Sequence, residues 1–352
     1  MRPLAAKSHD LDGCNNQSHT FFLVTSTSEA QEGRKLCLRS LSVSTPEPTT
    51  TPAPSQLVFS FGTLLDEKVQ QSLFGTRVNM IEDSLMGHGT TEVVITDLDV
   101  IAKSGKNVHL GLVRREGDTV SGGLLALSPD ELAAADAYEV DTYARRRVSA
   151  AAHGQAWCYV SAAPLDVAER IALIGDSIAY GRCTQDGGWA ALVASRHITR
   201  DEENNRFFNL AWPGATLLEI LDAAETEVTA RRADTVLVAA GINDLLHADG
   251  RSGAQVGQDV IARLESFCDA MEPQGRRVVV MSPNWVDTTV VPGLHLGEIL
   301  DLRQTLRSWC ERTFRDFLDT WDVLADRPAL FSDGLHPTAE GHRLLAEAVG
   351  KV

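Results

Sequence analysis

The sequence predicts an α/β protein with two folded parts, a small mixed β-barrel followed by a parallel sheet with helices on both faces. After residue 168, short apolar runs rich in β-branched residues alternate with helical segments. Between residues 57 and 160, several short strands are separated by turn signals and by one or two helices. The chain has 352 residues, more than the ~250–300 that one hydrophobic core usually serves.

The first 55 residues differ in composition from the rest. Small and polar residues dominate, and residues 44–56 read STPEPTTTPAPSQ, which is typical of an extended linker. We therefore predict a disordered tail and linker over 1–55, a first domain over 56–162 and a second domain over 163–352. Pro164 supports this boundary because it interrupts any strand there.

The sequence of the first domain predicts several short strands and two helices. A strand beginning at Leu57 runs into Gly62 and Thr63, and Ser128 opens a short helix with Pro129 behind it. Many short strands with turn signals between them favour a largely antiparallel barrel. Further strands are predicted at 91–101, 120–127, 145–150 and 155–160, and a first helix at 66–74.

The second domain has the regular alternation of a doubly wound sheet. Five parallel strands joined by crossover helices predict a flavodoxin-like, three-layer α/β/α arrangement with strand order 2-1-3-4-5. Ligands of such sheets bind at the carboxyl ends of the strands. The predicted strands are 170–175, 206–211, 235–240, 277–282 and 320–324, and the predicted helices are 188–197, 216–231, 254–271 and 297–318.

Residues with catalytic chemistry follow the predicted strand ends. The first strand closes in Gly-Asp-Ser, so Ser177 presents a hydroxyl at the open edge of the sheet. A serine nucleophile needs a base, a group that orients the base, and donors for the oxyanion. His336 and Asp333, on a loop before the last helix, could supply the first two. Gly214 and Asn243 follow the second and third strands and could donate N–H groups.

Each of these residues also has a structural interpretation. Ser177 could cap a helix, His336 could lie on the surface, and Asn243 could be a turn residue. Each structural interpretation is reasonable for one residue alone. Because all the candidate residues occur together and in order, it is unlikely that every one of them has only a structural role. An α/β-hydrolase elbow, G-x-S-x-G, is excluded because Ala179 stands where the second glycine would be.

From about residue 168 to its end, the chain resembles the SGNH hydrolases, also called the GDSL lipase and esterase family. Their four marker residues match Ser177, Gly214, Asn243 and His336 in order. The resemblance implies that Ser177 forms an acyl-enzyme, that His336 is the general base and that Asp333 is its partner. It also implies an oxyanion hole made by the N–H groups of Ser177 and Gly214 and by the side chain of Asn243.

Residues 57–160 resemble a second family. The matching pieces are FSFGTL at 59–64, His109 after KSG, ADAYEVDTY at 135–143 and AWCY at 156–159. They are similar to the AIG2-like branch of the γ-glutamylcyclotransferase family, in which an α-amine attacks its own γ-glutamyl carbonyl and releases 5-oxoproline. The resemblance implies Glu139 as the acid and base. The implied substrate cradle is Phe61, Gly62, Thr63 and Leu64, with Phe61 where the family commonly has tyrosine.

Together the two resemblances predict a bifunctional enzyme. One part would hydrolyse an acyl ester or thioester, and the other would release 5-oxoproline from a γ-glutamyl amine. The alternative is a single-activity esterase whose first domain is a non-catalytic module that binds a ligand or a partner. Neither reaction needs a cofactor, and the sequence lacks the G-x-G-x-x-G, P-loop and H-E-x-x-H patterns. No metal site is predicted.

The net charge limits which partners are expected, and the cysteine spacing indicates the cellular compartment. A net charge of −16 disfavours nucleic acid and anionic membranes as partners. No apolar run is long enough to span a bilayer, and residues 1–12 lack the apolar core of a secretory signal. The six cysteines have no paired spacing, which favours reduced thiols in the cytoplasm. We expect Cys183, close to Ser177, to be a packing residue.

Overall fold

The computed structural model describes residues 55–94, 98, 101, 107–139 and 141–351. The predicted tail and linker, apart from Ser55, lie outside the described residues, as does the KSG segment at 103–105. Mixed α/β architecture is confirmed. Two five-stranded sheets are present in the described part of the chain.

The first sheet is mixed and has the order β2-β3-β1-β5-β4. Its pairs are antiparallel except for β1 and β5, which run parallel through Val58 and Trp157. The strands are β1 Gln56–Ser60, β2 Met80–Val94, β3 Val108–Leu127, β4 Tyr143–Ala150 and β5 Gly154–Ser161.

The prediction of a small barrel is only partly right. The first sheet does not close and is a curled half-barrel. The edge strands β2 and β4 meet where the Ala151 N–H donates to Ser84 O at 2.9 Å. Beside this bond the Asp83 carboxylate accepts from the N–H of His153 at 3.2 Å. Closure would require a ladder along both edge strands. In the described ladders, β2 pairs with β3 and β4 pairs with β5, so the sheet stays open.

The β2–β3 hairpin is longer than the predicted strands at 91–101 and 120–127. Its register runs from Met80 opposite Leu125 to Val94 opposite Val108, with an irregularity between Met86 and His88. The reason is visible in β3, where residues 115–119 read REGDT and are exposed. Such a polar segment with a glycine is typical of a turn, yet here it continues the strand.

Both faces of the first sheet are covered by apolar side chains. Successive residues of β1 point to opposite faces, as strand geometry requires. Phe59 packs with Leu85 and Leu124 inside the curl. Val58 packs with Leu132 on the other face, beneath helices α1 Glu67–Phe74 and α2 Pro129–Tyr138. Ser128 begins α2 with a capping box.

The second sheet is entirely parallel. Its order is β7-β6-β8-β9-β10, which in chain order is the predicted 2-1-3-4-5. Ile171, Leu173 and Leu237 in its centre are almost fully buried. The strands are β6 Arg170–Gly175, β7 Arg206–Asn209, β8 Thr235–Ala239, β9 Arg277–Met281 and β10 Asp316–Leu318.

Helices pack in two groups around the second sheet. Helix α4 contacts α10, whereas α5, α7 and α8 contact one another in a row. Right-handed crossovers place these two groups on opposite faces of the sheet. None of the described helices is both long and apolar enough to cross a membrane. The helices are α3 Ser177–Tyr180, α4 Gly188–Arg200, α5 Leu217–Ala230, α6 Ile242–Leu246, α7 Gly253–Met271, α8 Leu296–Thr313, α9 Trp321–Leu324 and α10 Ala339–Val349.

The last strand lies earlier than predicted. Helix α8 ends at Thr313, the strand is Asp316–Leu318, and the predicted strand at 320–324 contains helix α9. No glycine or proline marks the end of α8. Phe314 instead takes the left-handed conformation there, with φ of 55°. A buried aspartate at the start of β10, an edge strand of the sheet, also interrupts the apolar pattern that would predict a strand.

A buried carboxylate joins the two sheets. Arg277 donates to Asp316 through Nε at 2.6 Å and through Nη2 at 2.9 Å. Arg146, on β4 of the first sheet, donates to the same carboxylate at 2.6 Å. Arg277 also donates to Ser161 O, at the end of β5, at 2.6 Å. Burial acts to raise the pKa of Asp316, but the two guanidinium groups hold it below the usual value.

We predict that Asp316→Asn lowers the free energy of unfolding by about 3 kcal/mol, because it leaves Arg146 and Arg277 buried without a carboxylate. Urea denaturation would measure the change. Asp166→Asn is the matched control, since Asp166 pairs with Arg200 on the exposed surface, and it should cost less than about 1 kcal/mol. Equal losses in the two variants would contradict the prediction.

Candidate active sites

Ser177 lies at a sharp turn from strand to helix. Strand β6 ends at Gly175, and α3 begins at Ser177. A Cβ on Gly175 would lie 2.7 Å from Ala239 O and 2.5 Å from the Ala179 Cβ, so only glycine fits there. The Asp176 carboxylate caps the helix by accepting the N–H of Ile178 at 2.9 Å. The turn places the serine at the carboxyl edge of the sheet.

Ser177, His336 and Asp333 form one chain of hydrogen bonds. Ser177 Oγ lies 2.9 Å from His336 Nε2, and His336 Nδ1 lies 2.8 Å from Asp333 Oδ2. The His336 main-chain N–H donates to Asp333 Oδ1 at 2.8 Å. Ser177 and His336 are buried, whereas the Asp333 side chain is half exposed. The structure thus brings together the three residues that sequence reasoning proposed as a triad.

Several bonds hold the Asp333 carboxylate in its ionised form. Burial acts to raise its pKa, but the main-chain N–H and the ring of His336 and the N–H of Leu335 lower it below the usual value. An ionised carboxylate at Nδ1 favours the tautomer that carries its proton there. In that tautomer Nε2 is free to accept the hydroxyl proton of Ser177.

Hydrogen bonds connect the loops that carry Gly214 and Asn243 to the same edge of the sheet. The Trp212 N–H donates to Gly175 O at 2.8 Å, and Gly214 follows with φ of +86°. Asn243 Nδ2 donates to Ala215 O at 2.9 Å. An amide nitrogen carries two N–H groups, so one remains for another acceptor.

Two buried carboxylates near Ser177 were not proposed as site residues from the sequence. Burial, and to a lesser extent the charge of Asp244, raises the pKa of Asp176 to about 6. Asp244 Oδ2 accepts the N–H of Leu217 at 2.8 Å and so fixes the start of α5 next to Asn243. The only sequence signal was their position, each beside a candidate site residue.

Cys183 is not the packing residue that we expected. Its side chain is exposed, and its Sγ lies within 4.8 Å of a carboxylate oxygen of Asp333 and a ring nitrogen of His336. Its place in the sequence, three residues after the end of the short α3, indicated only that it lies near Ser177.

The residues proposed for the second site also come together. Phe61, Gly62, Thr63, Leu64 and Glu139 line one cavity of about 810 Å³. Thr63 and Leu64 begin a 3₁₀ helix, and the first N–H groups of a helix have no partner within it. The cavity therefore has backbone donors on one wall and a carboxyl group on another.

Burial dominates the electrostatics of this cavity. It raises the pKa of Glu139 to about 7. Burial, together with the charge of Glu139, raises the pKa of Tyr143 to about 12. His109, another lining residue, stacks on Tyr143 with ring centroids 6.1 Å apart. A carboxyl group that titrates near neutrality can both accept and return a proton.

Two family models match largely separate parts of the chain. Residues 173–344 match the GDSL-like lipase/acylhydrolase family, and residues 58–177 match the γ-glutamyl cyclotransferase, AIG2-like family. Each match covers less than half of the chain. Both resemblances predicted from the sequence motifs are thereby confirmed. A comparison with curated proteins found no match.

Solved structures of GDSL proteins are similar to about half of the chain. A lipolytic protein of the G-D-S-L family from Veillonella parvula is 21% identical over 52% of this chain and 97% of its own, with a TM-score of 0.44. A lipase/acylhydrolase from Enterococcus faecalis is 22% identical over 52% and 94%, with a TM-score of 0.45. An acetylxylan esterase from Geobacillus stearothermophilus, a catalytic mutant, is 22% identical over 51% and 91%, with a TM-score of 0.43.

We predict that the Glu139 carboxyl group titrates with a pKa of about 7, because burial disfavours its ionised form. Carboxyl-carbon NMR of the labelled protein would show the signal, and Glu139→Gln would remove it. Glu219→Gln is the control, because hydrogen bonds from Thr216 lower the pKa of Glu219. That variant should lose a signal that titrates below the usual range. Titration of Glu139 in the ordinary range of glutamate would contradict the prediction.

Proposed function

We propose that the chain is a serine hydrolase that cleaves an acyl ester or thioester through an acyl-enzyme on Ser177. The observation that carries the proposal is the continuous Ser177–His336–Asp333 chain of hydrogen bonds. In the first half-reaction Ser177 Oγ attacks the acyl carbon, and its proton passes to His336 Nε2. The imidazolium then protonates the departing alcohol or thiol, and the acyl group stays on the serine.

The second half-reaction releases the acid. Water attacks the acyl carbon as His336 takes its proton, and that proton returns to Ser177 Oγ when the ester bond breaks. Both tetrahedral intermediates carry a negative oxygen. In this proposal the main-chain N–H groups of Ser177 and Gly214 and the free N–H of the Asn243 amide stabilise it. Asp333 stabilises the positively charged ring of His336.

For the first part of the chain we propose a γ-glutamylcyclotransferase activity. The cavity and the raised pKa of Glu139 support it. Ionised Glu139 removes a proton from the substrate's α-ammonium group, and the amine attacks the γ-carbonyl. The same carboxyl group then protonates the leaving nitrogen, the second proton lost by the attacking nitrogen leaves with the released amine as its ammonium form, and 5-oxoproline forms. The backbone at 62–64 holds the substrate carboxylate and the oxyanion.

The hydrolase proposal predicts the pattern of labelling by a fluorophosphonate probe. Wild type should label and hydrolyse short p-nitrophenyl esters. Ser177→Ala and His336→Ala should lose at least about 10⁴-fold in kcat, and Asp333→Asn somewhat less, since the orienting carboxylate contributes less than the other two groups.

Ser332→Ala is the control for this experiment, because Ser332 is an exposed serine on the loop that carries His336. It should label like wild type. The hydrolase proposal fails if Ser177→Ala labels as strongly as wild type. It also fails if no ester or thioester in a panel of acyl lengths is hydrolysed.

The cyclotransferase proposal predicts that Glu139→Gln abolishes release of 5-oxoproline from γ-glutamyl amines. Wild-type kcat/KM should rise as the pH increases through about 7, because the ionised base is present above its pKa. Chromatography of 5-oxoproline would measure both effects.

Two controls separate this activity from the hydrolase. Ser177→Ala should release 5-oxoproline like wild type, and Asp141→Asn, at an exposed acid close in sequence, should retain both activities. Unchanged 5-oxoproline release by Glu139→Gln would exclude the proposed base. An absence of release by wild type from every γ-glutamyl amine would leave a non-catalytic binding module as the better account of this part.

A further inference from the structure

The loop between α3 and α4 is fixed beside the triad. The Arg182 N–H donates to Ser177 O at 3.0 Å, which ties the loop to the helix that carries the serine. His342 Nε2 lies 3.4 Å from Arg182 O on the other side. Cys183 follows directly and is exposed. The main-chain position of this cysteine is thus set by the same element that positions Ser177.

Three different metal-binding groups meet at this point. Cys183 Sγ, a carboxylate oxygen of Asp333 and a ring nitrogen of His336 lie within 4.8 Å of one another. Among the described residues, no other three His, Cys, Asp or Glu side chains are close enough together to hold a metal ion. A thiolate, an imidazole and a carboxylate are the ligands that Zn²⁺ prefers, at about 2.0–2.3 Å. The exposed side chains of Cys183 and Asp333 can close the remaining distance by small rotations.

From this geometry we propose that Cys183, Asp333 and His336 bind Zn²⁺, or a similar thiophilic divalent ion, and that this ion reversibly inhibits the hydrolase. Three protein ligands leave a fourth position for water, as in open zinc sites. Ion binding needs only the ligand geometry. Its inhibitory effect rests on the proposed role of His336 as the general base.

Proton positions explain the inhibition. Binding displaces the thiol proton of Cys183 to solvent. A metal on Nδ1 requires a lone pair there, so the proton of the neutral ring moves to Nε2. Ser177 then faces an N–H group instead of an acceptor, and the base is lost. A metal on Nε2 would occupy the acceptor directly, with the same result.

Cobalt can test binding independently of activity, because a Co²⁺–thiolate bond gives a charge-transfer absorption band. Titration of the full chain with Co²⁺ should produce this band, and excess Zn²⁺ should remove it. Cys183→Ser and Cys183→Ala should lack the band. The control is a Cys14→Ser, Cys37→Ser double variant, which should keep it; Cys158, Cys268 and Cys310 are buried. A band that survives in both Cys183 variants would overturn the proposal.

Inhibition of ester hydrolysis gives the second readout. Zn²⁺ should inhibit wild type, and a chelator should restore the activity. Without metal, Cys183→Ser should retain wild-type activity. The Zn²⁺ concentration for half inhibition should rise by more than about 10-fold in this variant, because even the loss of an outer-shell partner costs a metal site about 10- to 100-fold in affinity.

The two readouts also separate this proposal from the hydrolase proposal. Equal Zn²⁺ sensitivity of wild type and Cys183→Ser would overturn the metal site. A wild type that hydrolyses no ester would refute the proposed hydrolase, and the cobalt band would then decide the metal site alone. Circular dichroism of both Cys183 variants should match wild type.

Discussion

A single hydrogen bond, between Ser177 Oγ and His336 Nε2, joins residues 159 positions apart in the chain. It can form because a parallel sheet brings the carboxyl ends of all its strands to one edge. Gly175 permits the sharp turn after β6, and Asp176 caps the helix that starts there. The loop at 333–336 folds back on itself through the Asp333 carboxylate, which accepts from two main-chain N–H groups. The candidate site thus depends on the sheet for its position and on short loops for its orientation.

The sequence predicted best where one pattern determines one structure. Three of the five strands of the second sheet, β6, β8 and β9, are buried apolar runs, and the observed strand order is a usual order of doubly wound sheets. Ser177 could be named in advance because it stands at the end of a strand, and Asp333 and His336 because they lie on the loop before the last helix. The boundary of β10 could not, because its first residue, Asp316, is charged and becomes buried only through two arginines distant in sequence.

Other features needed three-dimensional proximity. Nothing in the residues around Cys183 indicates that its thiol lies near Asp333 and His336. The raised pKa of Glu139 depends on burial within a cavity whose walls come from several elements. Closure of the first sheet could not be read from strand spacing, since it depends on whether β2 and β4 form a ladder.

The contacts between the sheets involve the amino ends of the second sheet's strands. Arg277 and Asp316 are the first residues of β9 and β10, whereas Ser177 follows the carboxyl end of β6. The surface that holds the two halves together is therefore at the opposite end of the strands from the serine. Because the residues that join the two sheets are separate from the loops that carry the triad, substitutions in one set can accumulate without disturbing the other.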